Sequence, residues 1–458
     1  MQYVFVLDRN KKPLDPCHPA RARQLLREGR AAVIRRYPFT ILLKDRELEE
    51  SVTHAHQVKL DPGSRTSGIA LVRAGDDTES AGTCGKALWA GELAHRGQAI
   101  KSALDDRRAI RRGRRNRKCR CRPPRYDNRR RREGWLPPSL ESRVANLQTW
   151  VRRLVRSAPV DALSMELVKF DTQAMQNPEI SGLEYQQGEL MGYEIREYLL
   201  EKWGRKCAYC GRSDVPLQVE HIVPRSRGGT SRVSNLTLSC RECNQEKGNC
   251  TAEEYGHPEI QAVARQPLKD AAAVNITRWE LWRRLSDHKS WSLQESGLHV
   301  HCGTGGRTKY NRTRFNLPKA HWIDAACVGE MERLYVPPAL TPLYIQSMGH
   351  GSRQMCRMDR YGFPRTGAKG PRRVFGFKTG DTVTAQVLAG KHAGSYRGRV
   401  AIRRSGNFNI KADGGIVQGI SYQYCRLDFK SDGYSYSPKG WAASSTCSKQ
   451  VVSAANFL

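Results

Sequence analysis

Two short knuckles, Cys207-x-x-Cys210 and Cys240-x-x-Cys243, constrain what this chain can fold into more than any other feature of it. Four thiolates in two matched pairs, joined by one loop, have the ligand spacing of a tetrahedral Zn²⁺ site, and the ion closes the segment around itself into a small module. The other cysteines are scattered, and the start, MQYVFVLDRNKKPLDP, lacks the basic, long apolar and cleavable regions of an export signal. Reduced thiols in a cytoplasmic protein are therefore expected.

The loop between the knuckles reads LQVEHIVPRSRGGTSRVSNLTLSC, and NQEKGN follows the second knuckle. A carboxylate beside a histidine at the end of a short strand, with an asparagine later, supplies what metal-assisted phosphodiester hydrolysis needs. Glu220 and Asn244 offer oxygens to a hard ion such as Mg²⁺ or Mn²⁺, and His221 can take the proton of an attacking water. Taken alone, His221 would more often be a structural histidine.

Phosphodiesters also fit the charge. Lys plus Arg number 77 against 45 Asp plus Glu, a net +32 over 458 residues, which draws a polyanion and is too long a chain for one ordinary core. A membrane partner is disfavoured, because no long apolar run or lipid-binding amphipathic stretch occurs. The charge is densest at 107–132, RRAIRRGRRNRKCRCRPPRYDNRRRR, with Asp127 its only acid. A solvated tract or a localisation signal is the plain reading of such a run. Prolines 123 and 124 break it, so a helix is expected from about Asp105 to Arg120, carrying Arg107, Arg108, Arg111, Arg112, Arg114, Arg115, Arg117 and Arg120. Their planar forks suit phosphate oxygens.

Around these landmarks, residues 2–7 and 31–43 read as strands about a helix ending at Gly29, and 57–72 as a hairpin. Residues 141–156 read as an amphipathic helix, 162–168 as a buried strand, 268–286 as helical, HCGTGGRTKYNR as a Gly-rich segment, and KAHWIDAACVGEMERL as a helix. Beyond Pro337, alternating residues between Gly turns suggest a small β-barrel. Asp61 ends the first strand of the hairpin, Glu166 lies on the buried strand, and His321 and Asp324, three apart, share a helix face. If the strands lie together, these side chains converge on a two-metal site.

Cys-x-x-Cys, Glu-His-Ile-Val-Pro, Ser-Asn-Leu and Cys-x-x-Cys-Asn-x-x-Lys-Gly together resemble the HNH (ββα-metal) nuclease module in its zinc-ribbon form. The resemblance implies His221 as general base, Glu220 and Asn244 as metal ligands, and Asn235 as the brace of the loop; Glu220 stands where the usual motif has Asp. VKLDPGSRTSGIALV, ALSMELVKFD and KAHWIDAACVG look like the three pieces of a RuvC domain, an RNase H-like fold. In this order, with an arginine-rich helix after the first piece and an HNH module before the third, nearly the whole chain resembles the IscB family of transposon-encoded RNA-guided DNA endonucleases.

That resemblance implies a multidomain α/β protein. Its parts are an N-terminal domain over 1–52 of the kind named for a Pro-Leu-Met-Pro motif (Asp15 standing for Met), RuvC pieces at 53–104, 134–187 and 258–337, a bridge helix at 105–133 that holds guide RNA, the HNH domain at 188–257, and a C-terminal β-rich region at 338–458 that reads a target-adjacent motif. It further implies that HNH cuts the guide-paired strand of duplex DNA and RuvC the displaced one. So little chain separates the arginine block from the Glu166 strand that a large structured guide RNA (omega RNA), bound to one copy of the protein, is expected to provide the scaffold. A protein-guided HNH endonuclease and a non-cleaving nucleic-acid-binding regulator are the alternatives.

Overall fold

The computed structural model describes residues 2–75, 84–116, 135–167, 191–265, 271–287, 298–349, 356–361, 363–367, 373–412 and 414–437. It divides into two units, Met1–Glu92 with Arg143–Pro342, and Leu93–Ser142 with Leu343–Leu458.

The first unit opens with β1 (Val4–Leu7), β2 (Pro13–Cys17), α1 (Pro19–Arg27), β3 (Ala31–Arg35) and β4 (Thr40–Leu43), in the strand order β2-β1-β4-β3. The helix starts where the His18 ring accepts from the Ala20 N–H and Pro19 brings a pre-set φ, and it stops before Gly29 at φ +69°. Val4, Val6, Leu25 and Ile41 fill the small core beneath it. The single strand expected over 31–43 is a hairpin instead, because the chain turns at 36–39, where Pro38 has no N–H to give a ladder. β2 carries two prolines and has no strand signature in the sequence; as an edge strand it tolerates them.

A larger sheet follows. β5 (His56–Asp61) and β6 (Thr66–Ala74) form the expected hairpin, β7 (Cys84–Ala94) lies beside β6, and α2 (Gly97–Asn116) belongs to the second unit. After α3 (Pro138–Val155), β8 (Val160–Glu166) pairs parallel with β5, with Leu60 opposite Met165. Val144, Leu147, Trp150, Val151 and Leu154 form one helical stripe on α3 and all are buried, with Trp150 stacked on Trp89 of β7 at 5.9 Å. Each such side chain contributes about 1.5–3 kcal/mol, so this stripe fixes the sheet that carries the acids.

Between β8 and the rest of the sheet the chain makes a separate module: α4 (Met191–Lys202), β9 (Leu217–His221), β10 (Leu236–Cys240), α5 (Arg241–Lys247) and α6 (Glu259–Arg265). β9 and β10 pair antiparallel, and Tyr198, Leu199, Leu236 and Leu238 pack with three of the knuckle cysteines. The chain then returns through α7 (Ala271–Ser286) to β11 (His299–Gly303), parallel to β8. α8 (Gly305–Arg314) and α9 (His321–Ala326) follow, and β12 (Arg333–Tyr335) pairs parallel with β7.

Two of these elements differ from expectation. The Gly-rich segment yields α8, capped by the Thr304 hydroxyl accepting from the Arg307 N–H. The helix expected to reach Leu334 stops at Ala326, where buried Asn311 donates to the Cys327 and Gly329 carbonyls and Gly329 turns at φ +87°.

In the second unit, β13 (Leu343–Ser347) pairs antiparallel with β21 (Tyr434–Ser437), and β14 (Arg373–Val374) with β15 (Phe377–Lys378). β16 (Thr382–Val387), β17 (Gly394–Ala401), β18 (Asn407–Ala412), β19 (Gly415–Ser421) and β20 (Cys425–Phe429) make an antiparallel sheet in the order β19-β18-β17-β16-β20 around Val383, Phe408 and Ile410. Among the described residues this is an open five-stranded sheet and not the closed barrel expected. α2 starts at Gly97, earlier than the expected Asp105; Arg117 and Arg120 lie outside the described residues. No helix among the described residues is long and apolar enough to cross a membrane.

Candidate active sites

Parallel pairing of β5 and β8 sets Asp61 and Glu166 at neighbouring strand ends, and α9 is laid against β6 beside them. Gly68 permits that approach: a Cβ there would sit 1.8 Å from the His321 carbonyl oxygen. As a result Asp61, Glu166, His321 and Asp324, from three distant parts of the chain, line one cavity of about 410 Å³. His321 Nδ1 is 4.0 Å from Asp61 Oδ2, with the ring half exposed at the mouth. Burial pushes the Asp324 carboxyl up, and Arg312 Nε at 2.9 Å opposes that shift. Hard carboxylate oxygens are the donors Mg²⁺ or Mn²⁺ prefer, and three carboxylates line this cavity, although among the described residues only the four knuckle cysteines bring three or more such ligand atoms within 4.8 Å of one another.

Two side chains of this cavity carry no signal in the sequence. Arg278 of α7 donates from Nη2 to Glu166 Oε1 at 2.9 Å, and Arg312 of α8 is the ion-pair partner of Asp324. Neither stands in a motif, and single arginines cannot be singled out among 77 basic residues.

In the module, the Sγ atoms of Cys207, Cys210, Cys240 and Cys243 all lie within 4.8 Å of one another, with Cys210 and Cys240 3.8 Å apart. Tetrahedral Zn–S bonds of about 2.3 Å require sulfur separations near 3.8 Å, so the donor set fits Zn²⁺. Hydrogen bonds from the Arg212 backbone and guanidinium bring the Cys210 thiol down to about 6, toward the thiolate a metal needs.

Asn235 secures the loop after β9: its side chain accepts from the Val223 N–H at 3.0 Å and donates to the Val223 and Thr230 carbonyls. His221 ends β9 with Nε2 3.4 Å from Ser231 Oγ, and burial, then the nearby Arg225 charge, lower its pKa. Asn244 of α5 is half-buried and donates to Gln218 Oε1 at 2.8 Å.

Of Glu220, His221 and Asn244, Glu220 is the most firmly held. Successive strand residues face opposite ways, and Glu220 is directed toward α5 and the module core. There Oε1 accepts from Lys247 Nζ at 2.6 Å and Oε2 from the Tyr209 hydroxyl at 2.7 Å, while Lys247 also donates to the His221 carbonyl. Each Glu220 oxygen thus accepts one bond within the module core and keeps a second lone pair. The buried ion pair makes a prediction. Lys247→Ala leaves the Glu220 charge uncompensated, at a cost of about 3–5 kcal/mol, and hydrogen exchange at the β9 and β10 amides should accelerate strongly; unchanged protection would show that the pair does not hold the module.

Known families match two stretches of the chain. Residues 4–188 match the family described as RRXRR protein, and residues 207–250 match HNH endonuclease. The second match places an HNH endonuclease domain, a module of phosphodiester hydrolases, at those residues. No curated protein matches. Among solved structures, Cas9 of Actinomyces naeslundii is similar at 15% identity and a TM-score of 0.23, over 62% of this chain and 60% of that one. Cas9 of Streptococcus thermophilus with the AGAA PAM is similar at 14% identity and a TM-score of 0.21, over 58% of this chain and 32% of the other. The same protein with the GGAA PAM gives 14% identity and 0.21, over 59% and 32%. The chain thus spans under two thirds of each of these proteins.

Proposed function

We propose that this chain, whose RRXRR and HNH domains form the architecture characteristic of IscB-like RNA-guided nucleases, is an RNA-guided double-strand DNA endonuclease. The observation that carries this reading is the meeting of Asp61, Glu166, His321 and Asp324 in one cavity, in a chain that also holds an HNH domain with a four-cysteine cluster. Two nuclease sites in one chain suit a substrate with two strands. In this reading the sheet of β5, β8 and β11 is the RuvC part, the HNH site cuts the guide-paired strand and the cavity cuts the displaced one. Sequence is read by base pairing with the guide, and a short flanking motif by the C-terminal sheet.

In the cavity, Asp61, Glu166 and Asp324 would hold Mg²⁺ or Mn²⁺, which when bound activates water and stabilises the departing oxygen. His321, half exposed beside Asp61, is placed to pass protons between the cavity and solvent. In the HNH site, burial keeps the His221 ring neutral and able to accept a proton from water near neutral pH, while Lys247 fixes its backbone carbonyl. Cys207, Cys210, Cys240 and Cys243 hold a structural Zn²⁺ in this reading.

The guide is assigned to α2 and the residues after it, where Arg107, Arg108, Arg111 and Arg112 are exposed and Arg114 and Arg115 continue the helix. Replacing Arg107, Arg108, Arg111 and Arg112 with Gln should weaken guide binding and flatten its salt dependence, by about 0.7–0.9 in log K against log salt for each phosphate no longer neutralised. Filter binding across a salt series reads this, and an unchanged slope removes α2 from the interface. The function itself is tested by purifying the protein from its host, sequencing the RNA that comes with it, and assaying duplex cleavage with that RNA supplied and withheld. A discrete structured RNA and RNA-dependent cleavage are expected; full cleavage without RNA would make the chain a protein-guided endonuclease.

A further inference from the structure

Asp61 and Glu166 end adjacent parallel strands, so two carboxylates stand side by side where protein walls limit screening by water. Like charges in such a place repel and drift apart or take up a proton. Buried Arg278 meets this situation from α7. Its Nη2 donates to Glu166 Oε1 at 2.9 Å and lies 3.8 Å from Asp61 Oδ1, while its Nε donates to the Pro62 carbonyl at 3.1 Å. The backbone bond sets the plane of the guanidinium, and the one nitrogen Nη2 then faces both acids. Arg278 engages Glu166 through Oε1, and both residues line the cavity.

We propose that Arg278 is the positioning residue of the acidic site: from the wall of the cavity it fixes Asp61 and Glu166 in a cation-ready arrangement. The inference rests on reading the cavity as a metal-dependent hydrolytic site. It also explains why α7, which leads from the HNH module back into the sheet, packs an arginine into a strand end otherwise made of acids. A lysine could supply the charge at that point, but its ammonium lacks the fork that binds the Pro62 carbonyl and the carboxylates together.

The test is Mn²⁺ binding to the full chain, followed by calorimetry and by electron paramagnetic resonance, with Asp61→Ala defining which ions belong to this cavity. Arg278→Ala should weaken those ions by about 10- to 100-fold, with Arg278→Lys recovering part of the loss. Guide-paired-strand cleavage, made elsewhere in the chain, should remain at its wild-type rate in both variants and so report that they fold. Should Arg278→Ala misfold, the comparison passes to Arg278→Lys, which keeps the charge and is expected to weaken Mn²⁺ binding by less. Unchanged affinity in a folded variant would overturn the proposal, and tighter binding would overturn it by making Arg278 a plug of the cation site. If Asp61→Ala itself removes no Mn²⁺, the reading of the cavity as a metal site fails, an outcome distinct from a failure at Arg278.

Discussion

In Asp61→Ala, cutting of the displaced strand falls on the order of 10³-fold while the guide-paired strand is cut at its full rate, so a labelled duplex gives a nick where the wild type gives a break. The size follows from losing one cation-holding carboxylate, since charge stabilisation by a bound divalent ion is worth several kcal/mol in the transition state. The strand selectivity follows from place. Asp61 is in the β5–β8 cavity, whereas His221 belongs to the β9–β10 module. His221→Ala should give the opposite nick, with a loss of about 10²–10⁴-fold expected for removal of a general base. A double-strand break surviving Asp61→Ala would refute the assignment of the cavity. Loss of both cuts would mean that the two sites do not act separately.

The acids were legible in the sequence and their counter-charges were not, for a physical reason. Asp61, Glu166 and Asp324 each end or follow an apolar run, so local pattern marks them as candidates before any fold is known. Arg278 acquires its meaning only from Glu166, 112 residues away, and nothing local distinguishes it from its neighbours on α7. The zinc knuckles were legible because their ligands come in short-range pairs. The partner of Glu220 was not: its carboxylate meets Lys247, a residue of the Cys-x-x-Cys-Asn-x-x-Lys-Gly motif whose burial the sequence does not reveal. Likewise the end of α9 depends on Asn311 reaching across from α8, a tertiary contact that overrides the helical pattern running on to Leu334.

Removing zinc should unfold the HNH module and leave the acidic cavity working. The module has a small core, and Cys207, Cys240 and Cys243 are themselves part of it, so its ion is bound where packing is also decided. Structural Zn²⁺ sites of this kind release about 10–16 kcal/mol on binding, comparable to or greater than the whole stability of an ordinary domain. Without the ion, four sulfurs within 4.8 Å must either stay protonated or repel as thiolates. The expected result is one zinc per chain by elemental analysis, and in Cys243→Ser a loss of zinc, of β9 and β10 exchange protection, and of guide-paired-strand cutting by more than about 10²-fold. Displaced-strand cutting should persist, because the acids come from β5, β8 and α9 and the module adds Arg205 but no carboxylate to the lining. Full guide-paired-strand cutting by a zinc-free chain would instead make the four cysteines a packed thiol cluster, and the stability of the HNH core would then have to come from the buried Lys247–Glu220 pair and the apolar side chains around it.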